Sequence, residues 1–218
     1  MKIGILDDHR LFRKSLVMLV SSFDEAEVAV EAEKGSEFLQ MAALSHLDVA
    51  ILDIQMPEMS GYEVCQKLLS ISPDTKILMV SQLSTRETLR QVMDCGAHGF
   101  ITKNSDPEVL ELALRNLSDK GFYLGPELGS VLKEAYELEQ ALPHAADAEN
   151  VFTPREKEII CLAAKEKSTA EIAAELFVHT RTVESHRNNM ISKIGAKNFI
   201  GVILFALRHR IISFDDIK

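Results

Sequence analysis

Cysteine is scarce in this 218-residue chain: only Cys65, Cys95 and Cys161 occur, and no two form a C-x-x-C pair. Each sits in an otherwise apolar stretch with helical spacing. That pattern excludes a disulfide framework or thiolate metal knot and points to small core residues in a reducing compartment. No apolar run approaches the ~18 residues that a membrane span requires. The opening Met1-Lys2-Ile3-Gly4 runs straight into a strand and leaves no room for a signal peptide, so a cytoplasmic protein without a membrane partner is expected. A glycine-rich phosphate loop is missing after the first strand, where Asp7-Asp8-His9-Arg10 stands instead. Its absence argues against a phosphate-handling enzyme or flavin carrier. Positive charge is also thin at the front. Residues 1–125 carry 12 Lys and Arg against 19 Asp and Glu, residues 126–149 carry 1 against 6, and residues 150–218 carry 11 against 8. An acidic front with a mildly basic tail suggests two domains, the second of which meets nucleic acid.

What is present is a series of short apolar runs, each delivering a polar residue. Ile3–Leu6 leads to Asp7 and Asp8, Val49–Leu52 to Asp53, Ile77–Val80 to Ser81, and Gly99–Thr102 to Lys103. With a less regular run near 27–33, they predict strands near 2–7, 27–33, 48–53, 76–81 and 98–102. Helices are expected near 10–21, 36–45, 61–71, 85–95 and 107–119. This alternation predicts a doubly wound five-stranded parallel sheet with helices on both faces. Glu27–Glu33 alternates like a half-exposed edge strand. Ligands bind outside the carboxyl ends of such strands, so Asp7, Asp8, Asp53, Ser81 and Lys103 should converge. Three close carboxylates repel one another unless a cation intervenes, and hard oxygen ligands suit Mg²⁺. An Asp beside such a metal can take a phosphoryl group, with Lys103 and the Ser81 hydroxyl neutralising its oxygens.

Beyond Gly121, Gly125 and Pro126 the pattern changes. Leu128, Val131, Ala135, Leu138 and Leu142 form a two-heptad seam over 127–142, either a linker helix lying on its own domain or a short dimerising coil. Pro143 ends it, and residues 144–150 read as a hinge. The divisions expected are therefore 1–121, a linker over 122–149, and 150–218. The tail reads as a separate all-α four-helix domain. Thr153-Pro154-Arg155-Glu156 and Ser168-Thr169-Ala170-Glu171 are capping boxes, and the turn at Phe177–Thr180 has helix-turn-helix spacing.

Residues 1–121 resemble a response-regulator receiver domain, on Asp7-Asp8-His9, Leu52–Gly61, Ser81, Gly96–Phe100 and Lys103. Residues 150–212 resemble a LuxR-type helix-turn-helix, on Phe152–Glu156, Glu171-Ile172-Ala173 and Thr182–Arg187. Together they resemble the NarL/FixJ-type two-component response regulators. The resemblance implies a flavodoxin-like receiver in which Asp53 accepts a phosphoryl group from a sensor histidine kinase. Asp7, Asp8, Asp53 and the Gln55 backbone carbonyl would hold Mg²⁺ (or Mn²⁺). Lys103 and Ser81 would contact the phosphoryl oxygens, and Phe100 would turn inward as a switch aromatic. The chain would assist its own phosphorylation without being an enzyme on a separate substrate. Leu83 stands near the expected path of hydrolytic water and cannot hydrogen-bond it, which implies a long-lived phosphoryl group.

In the tail, Arg181, Glu184, Ser185, Asn188 and Ser192 share one helix face, with Thr182 beside them, and could read base edges of double-stranded DNA. Lys165, Lys167, Arg187, Lys193 and Lys197 are candidates for phosphate contacts. Glu184 stands where relatives often carry Lys, His179 where a Ser cap is usual, and Glu166 where Gly is frequent. So small a positive charge suggests that DNA is bound by a homodimer, with the apolar Ile200–Leu207 helix, anchored by Leu204, as the contact. A tail that binds protein instead of DNA is the alternative.

Overall fold

The computed structural model describes residues 1–129 and 151–213. They divide into two units, with the boundary between Glu127 and Leu128. In the first, β1 (Lys2–Leu6), β2 (Glu27–Ala32), β3 (Val49–Asp53), β4 (Lys76–Ser81) and β5 (Gly99–Thr102) form one parallel sheet in the order β2-β1-β3-β4-β5. The connecting helices are α1 (Arg10–Ser21), α2 (Gly35–Leu44), α3 (Gly61–Ile71), α4 (Arg86–Cys95) and α5 (Pro107–Lys120). β2 is an edge strand with half-exposed residues, as its alternation predicts, and its register against β1 slips between Ile3 and Gly4.

Strand alternation sorts the core into two layers. Ile3, Ile5, Val49, Ile51, Leu78, Val80 and Ile101 face one way and pack with Leu16 and Val20 of α1 and with Leu110, Leu114 and Leu117 of α5. On the other face a Cβ on Gly4 would strike Leu47 and Phe38 at 2.7 and 2.8 Å, so β1 lies close beneath α2 there. Cys65 and Cys95 are buried, and the Cys65 thiol donates to the Cys95 carbonyl at 3.6 Å. Local signals set the helix ends. Ser60 and Glu63 form a capping box on α3, Thr85 caps α4, and Gly96 closes α4 in the left-handed conformation.

A helix begins at residues 126–129; the rest of the seam expected over 127–142 lies outside the described residues. The second unit contains α6 (Pro154–Ala164), α7 (Thr169–Glu175), α8 (Thr180–Ile194) and α9 (Phe199–Arg208). Both predicted capping boxes form, at Thr153/Glu156 and Ser168/Glu171, while His179 makes no side-chain cap to α8. Ile159, Ile160, Ile172, Val183, Met190 and Ile203 lie at its core.

The apolar surface of α9 is divided: Ile200, Val202, Ile203, Ala206 and Leu207 are buried in its own unit, while Leu204, the expected anchor of a dimer contact, is half-buried with Gly201 and Phe205. The four-helix core thus takes most of the apolar face that the sequence suggested for that contact, and leaves Leu204 partly open.

Glu166, at the C-terminal side of α6, has φ +59°, and Phe177 in the helix-turn-helix turn has φ +55° with its ring 96% exposed. A side chain in this left-handed region costs about 1–2 kcal/mol, part of which glycine loses again to unfolded-state entropy. Glu166→Gly and Phe177→Gly are each expected to stabilise this unit by roughly 0.5–1 kcal/mol, read as a rise in its thermal midpoint.

Candidate functional site

The order β2-β1-β3 puts a crevice at the carboxyl ends of β1 and β3, where the crossover direction reverses. Asp7 and Asp8 follow β1, and Asp53 ends β3. Pro57 lies in the loop before α3, which returns so tightly that the Gly61 amide donates to the Ile54 carbonyl at 3.0 Å. Lys103 follows β5, and its backbone amide donates to the Ser81 carbonyl at 2.8 Å. The chain thereby brings together residues separated by almost a hundred positions.

Lys103 Nζ lies 2.7 Å from Asp7 Oδ2 and 2.8 Å from Asp53 Oδ2, and it stands 4.8 Å above the Phe12 ring. Burial is the largest influence on Asp53 and, with the Asp7 charge, holds its carboxyl above the ordinary value against the pull of Lys103. Burial pulls the Lys103 ammonium down, but Asp53 and Asp7 more than reverse this and leave it above its usual value. Lys103 is therefore a fixed cation between two buried carboxylates. The Gln55 amide donates to Asp53 Oδ1 at 3.3 Å.

Ser81 is buried at the end of β4, where its hydroxyl accepts from the Leu83 amide at 3.1 Å. Among the described residues, no hydrogen bond joins the Ser81 hydroxyl to Asp53 or to the Lys103 ammonium. Phe100 is fully buried, and Leu83 is 53% exposed. A cavity of about 290 Å³ opens beside Asp8, lined also by Glu33, Lys34, Met56, Pro57 and Glu58.

The carboxylates fit a divalent cation. Oxygens of Asp7, Asp8 and Asp53 and the Nδ1 of His9 all lie within 4.8 Å of one another. Asp8 Oδ1 is enclosed and accepts no hydrogen bond among the described residues. An enclosed carboxylate oxygen without a donor is costly unless a cation satisfies it.

Two site residues escaped the sequence reading. His9 is one. Arg13 is the other: 6% exposed, it donates to the Asp7 carbonyl at 2.6 Å and to Glu31 and Glu33 at 2.9 and 3.4 Å. It ties the turn that carries the acidic pair to α1 and β2. Its one visible signal was a cation placed within the inward-facing spacing of α1.

In the second unit, α8 presents Arg181, Glu184, Ser185, Asn188 and Ser192 on an exposed face, with Thr182 half-buried. Lys165 and Lys197 are exposed too. Three expected phosphate contacts have structural duties. Arg187 is corrected outright: it is 3% exposed, donates to Thr169 Oγ1 at 2.9 Å and lies 4.8 Å over the Phe199 ring. Lys193 Nζ reaches both oxygens of the buried Glu156, at 2.9 and 2.6 Å. Burial would raise the Glu156 carboxyl, but Lys193 and Thr153 hold it below its usual range. Lys167 pairs with Glu175. Glu184 accepts from Thr169 at 2.9 Å and lies 3.5 Å from Arg187, so its charge is partly met from beneath.

Comparison with known proteins follows this division. The profile of the response regulator receiver domain matches residues 3–115, and that of the bacterial regulatory proteins of the luxR family matches residues 150–206. The oxygen regulatory protein NreC of Staphylococcus epidermidis is 34% identical over 218 residues, covering 98% of this chain and 100% of that protein. Among solved structures, the response regulator ChrA of a heme-sensing two-component system is 27% identical, with TM-score 0.50, over 97% of this chain and 98% of that one. The RcsB response regulator in its DNA complex shares the fold at 21% identity, with TM-score 0.57, over 94% of this chain and 96% of that one.

Proposed function

The chain belongs to the response regulators that join a receiver domain to a LuxR-type DNA-binding domain, and from that premise we propose that phosphorylation of Asp53 by a sensor histidine kinase switches its control of transcription. The observation that carries this reading is the buried Asp53 carboxylate, fixed by Lys103 beside Asp7 at the mouth of the crevice. In the proposed step an Asp53 oxygen attacks the phosphorus of a phosphohistidine. The new P–O bond replaces the P–N bond, and the imidazole leaves and takes up a proton. Lys103 meets the charge on the transferred oxygens, and the Ser81 hydroxyl leaves Leu83 to do the same. Asp7, Asp8, Asp53 and the Gln55 carbonyl would hold Mg²⁺, which supplies charge neutralisation to the incoming phosphate. The receiver serves its own modification and has no separate substrate. The proposed kinase and DNA partners favour a cytoplasmic location.

The phosphoryl group adds about −1.5 to −2 charges. Movement of Ser81 toward it, with Phe100 following, biases the surface formed by α4, β5 and α5. The output is double-stranded DNA read by Arg181, Asn188 and their neighbours on α8, with Lys165 and Lys197 on phosphates. The known DNA complex of a protein with the same fold supports this use of the tail. A net charge of +3 over residues 150–218 favours binding as a homodimer on paired half-sites.

Selection from a random duplex pool at fixed salt, with and without beryllofluoride and Mg²⁺, tests this. Enrichment of a paired motif only with beryllofluoride is expected. Equal enrichment in both samples would remove the switch. No enrichment, with beryllofluoride bound, would favour a tail that binds protein.

Two further outcomes are expected. Arg13→Met should weaken divalent-cation binding about tenfold, because partners that orient a ligand group count nearly as much as ligands; titration calorimetry reads this. The exposed Leu83 offers hydrolytic water no hydrogen bond, so phospho-Asp53 should long outlive the scale of seconds in a quench assay.

A further inference from the structure

We propose that His9 is a direct nitrogen ligand of the receiver's divalent cation and turns the site toward Mn²⁺ and similar transition ions over Mg²⁺. This rests on the reading that the acidic crevice holds a cation. His9 occupies the N-cap of α1, yet its side chain caps nothing. It turns instead into the crevice, where Nδ1 lies 2.9 Å from Asp8 Oδ1, 3.5 Å from Asp7 Oδ1 and 3.9 Å from Asp53 Oδ2. The approach to Asp8 lacks hydrogen-bond geometry, since that oxygen accepts no hydrogen bond among the described residues. An imidazole nitrogen and an enclosed carboxylate oxygen so placed converge on one point.

The separations suit one shared ion. Ligand atoms bound at about 2.1 Å lie about 3 Å apart when adjacent and about 4.2 Å apart when opposite. The three contacts of Nδ1 fall within or just below that span. Lys103 lies against Asp7 Oδ2 and Asp53 Oδ2, while Asp7 Oδ1, which accepts from the His9 amide at 2.8 Å, faces the imidazole and keeps a lone pair for an ion. Mg²⁺ favours oxygen and parts reluctantly with water, whereas imidazole suits the first-row transition ions. A nitrogen in place of one water therefore changes which metal the receiver prefers. His9 has a 56% exposed side chain, so its removal leaves the fold intact.

The test uses the untagged full chain loaded with Mn²⁺ and pulsed electron paramagnetic resonance, which detects ¹⁴N directly bonded to the ion. Wild type should show ¹⁴N modulation, and His9→Ala should bind Mn²⁺ about tenfold more weakly with the modulation gone. Mg²⁺ affinity should change less. Mn²⁺ bound to wild type without ¹⁴N modulation, or modulation that survives in His9→Ala, overturns the assignment and leaves the carboxylate site standing. Absence of both Mn²⁺ and Mg²⁺ binding in wild type overturns the carboxylate site as well.

Discussion

Replacement of Gly61 by alanine should slow phosphorylation of Asp53 about a hundredfold, the scale expected when a reacting group is displaced by about 1 Å. A Cβ at this position would lie 2.1 Å from the Asp53 carbonyl oxygen, 2.9 Å from its carbon and 3.0 Å from Ile54 Cα. Side-chain carbons do not approach closer than 3.0 Å, so the two backbones must part by 0.9 Å. The obstruction is main chain at the end of β3 and has no rotamer to escape into. Neither side yields easily: β3 is paired with both β1 and β4, while α3 is held at its start by the Ser60–Glu63 capping box. Overpacking of this kind costs about 1–3 kcal/mol, so the variant should still fold. Uptake of phosphoryl from acetyl phosphate, measured per folded molecule, should fall far more than the folded fraction. Unchanged uptake would mean that the loop between β3 and α3 does not set the aim of Asp53.

That result would also show where sequence reading succeeds. The convergence of Asp7, Asp8, Asp53, Ser81 and Lys103 follows from each standing at the end of an apolar run, because parallel strands must deliver their carboxyl ends to one edge. The helix starts at Ser60, Thr153 and Ser168 are equally legible, since capping is local. What escaped was decided across elements. Arg187 reads as one more cation on a basic helix, and only packing reveals that it lies under Thr169 and against Phe199. Likewise, the apolar residues of α9 look excessive until the depth of the four-helix core is seen. Arg13 and His9 act through backbone and carboxylate partners in neighbouring elements; the inward spacing of Arg13 on α1 marks the residue but not those partners. Glu166 shows the reverse case: its unusual place in a glycine position is matched by the left-handed backbone.

The receiver should lose stability between pH 6.5 and pH 3 because of His98. This residue opens the β5 segment, and its imidazole is buried between strands. Its Nδ1 accepts from the Ile77 amide at 3.2 Å, its own amide donates to the Ile77 carbonyl at 2.8 Å, and its carbonyl accepts from Tyr123. Burial, helped by the Lys76 charge, pushes the imidazole down to about 3 from an ordinary 6.5. A depressed folded value means that the unfolded chain binds the extra proton throughout this window, so stability rises with pH across it. The contribution is complete above pH 6.5 and fades as pH falls below it, by about 2 kcal/mol at pH 5 and about 4 kcal/mol at pH 3. Those are large fractions of a domain's usual 5–15 kcal/mol. Urea unfolding followed by the receiver tyrosines Tyr62 and Tyr123 should show the midpoint falling from pH 7.5 to pH 5. His98→Asn retains an acceptor for the Ile77 amide and cannot titrate. It should be less stable at pH 7.5, because the smaller side chain leaves a void, yet nearly flat between pH 7.5 and pH 5. An equally steep decline in the variant would assign the acid sensitivity to other groups and leave His98 as packing alone.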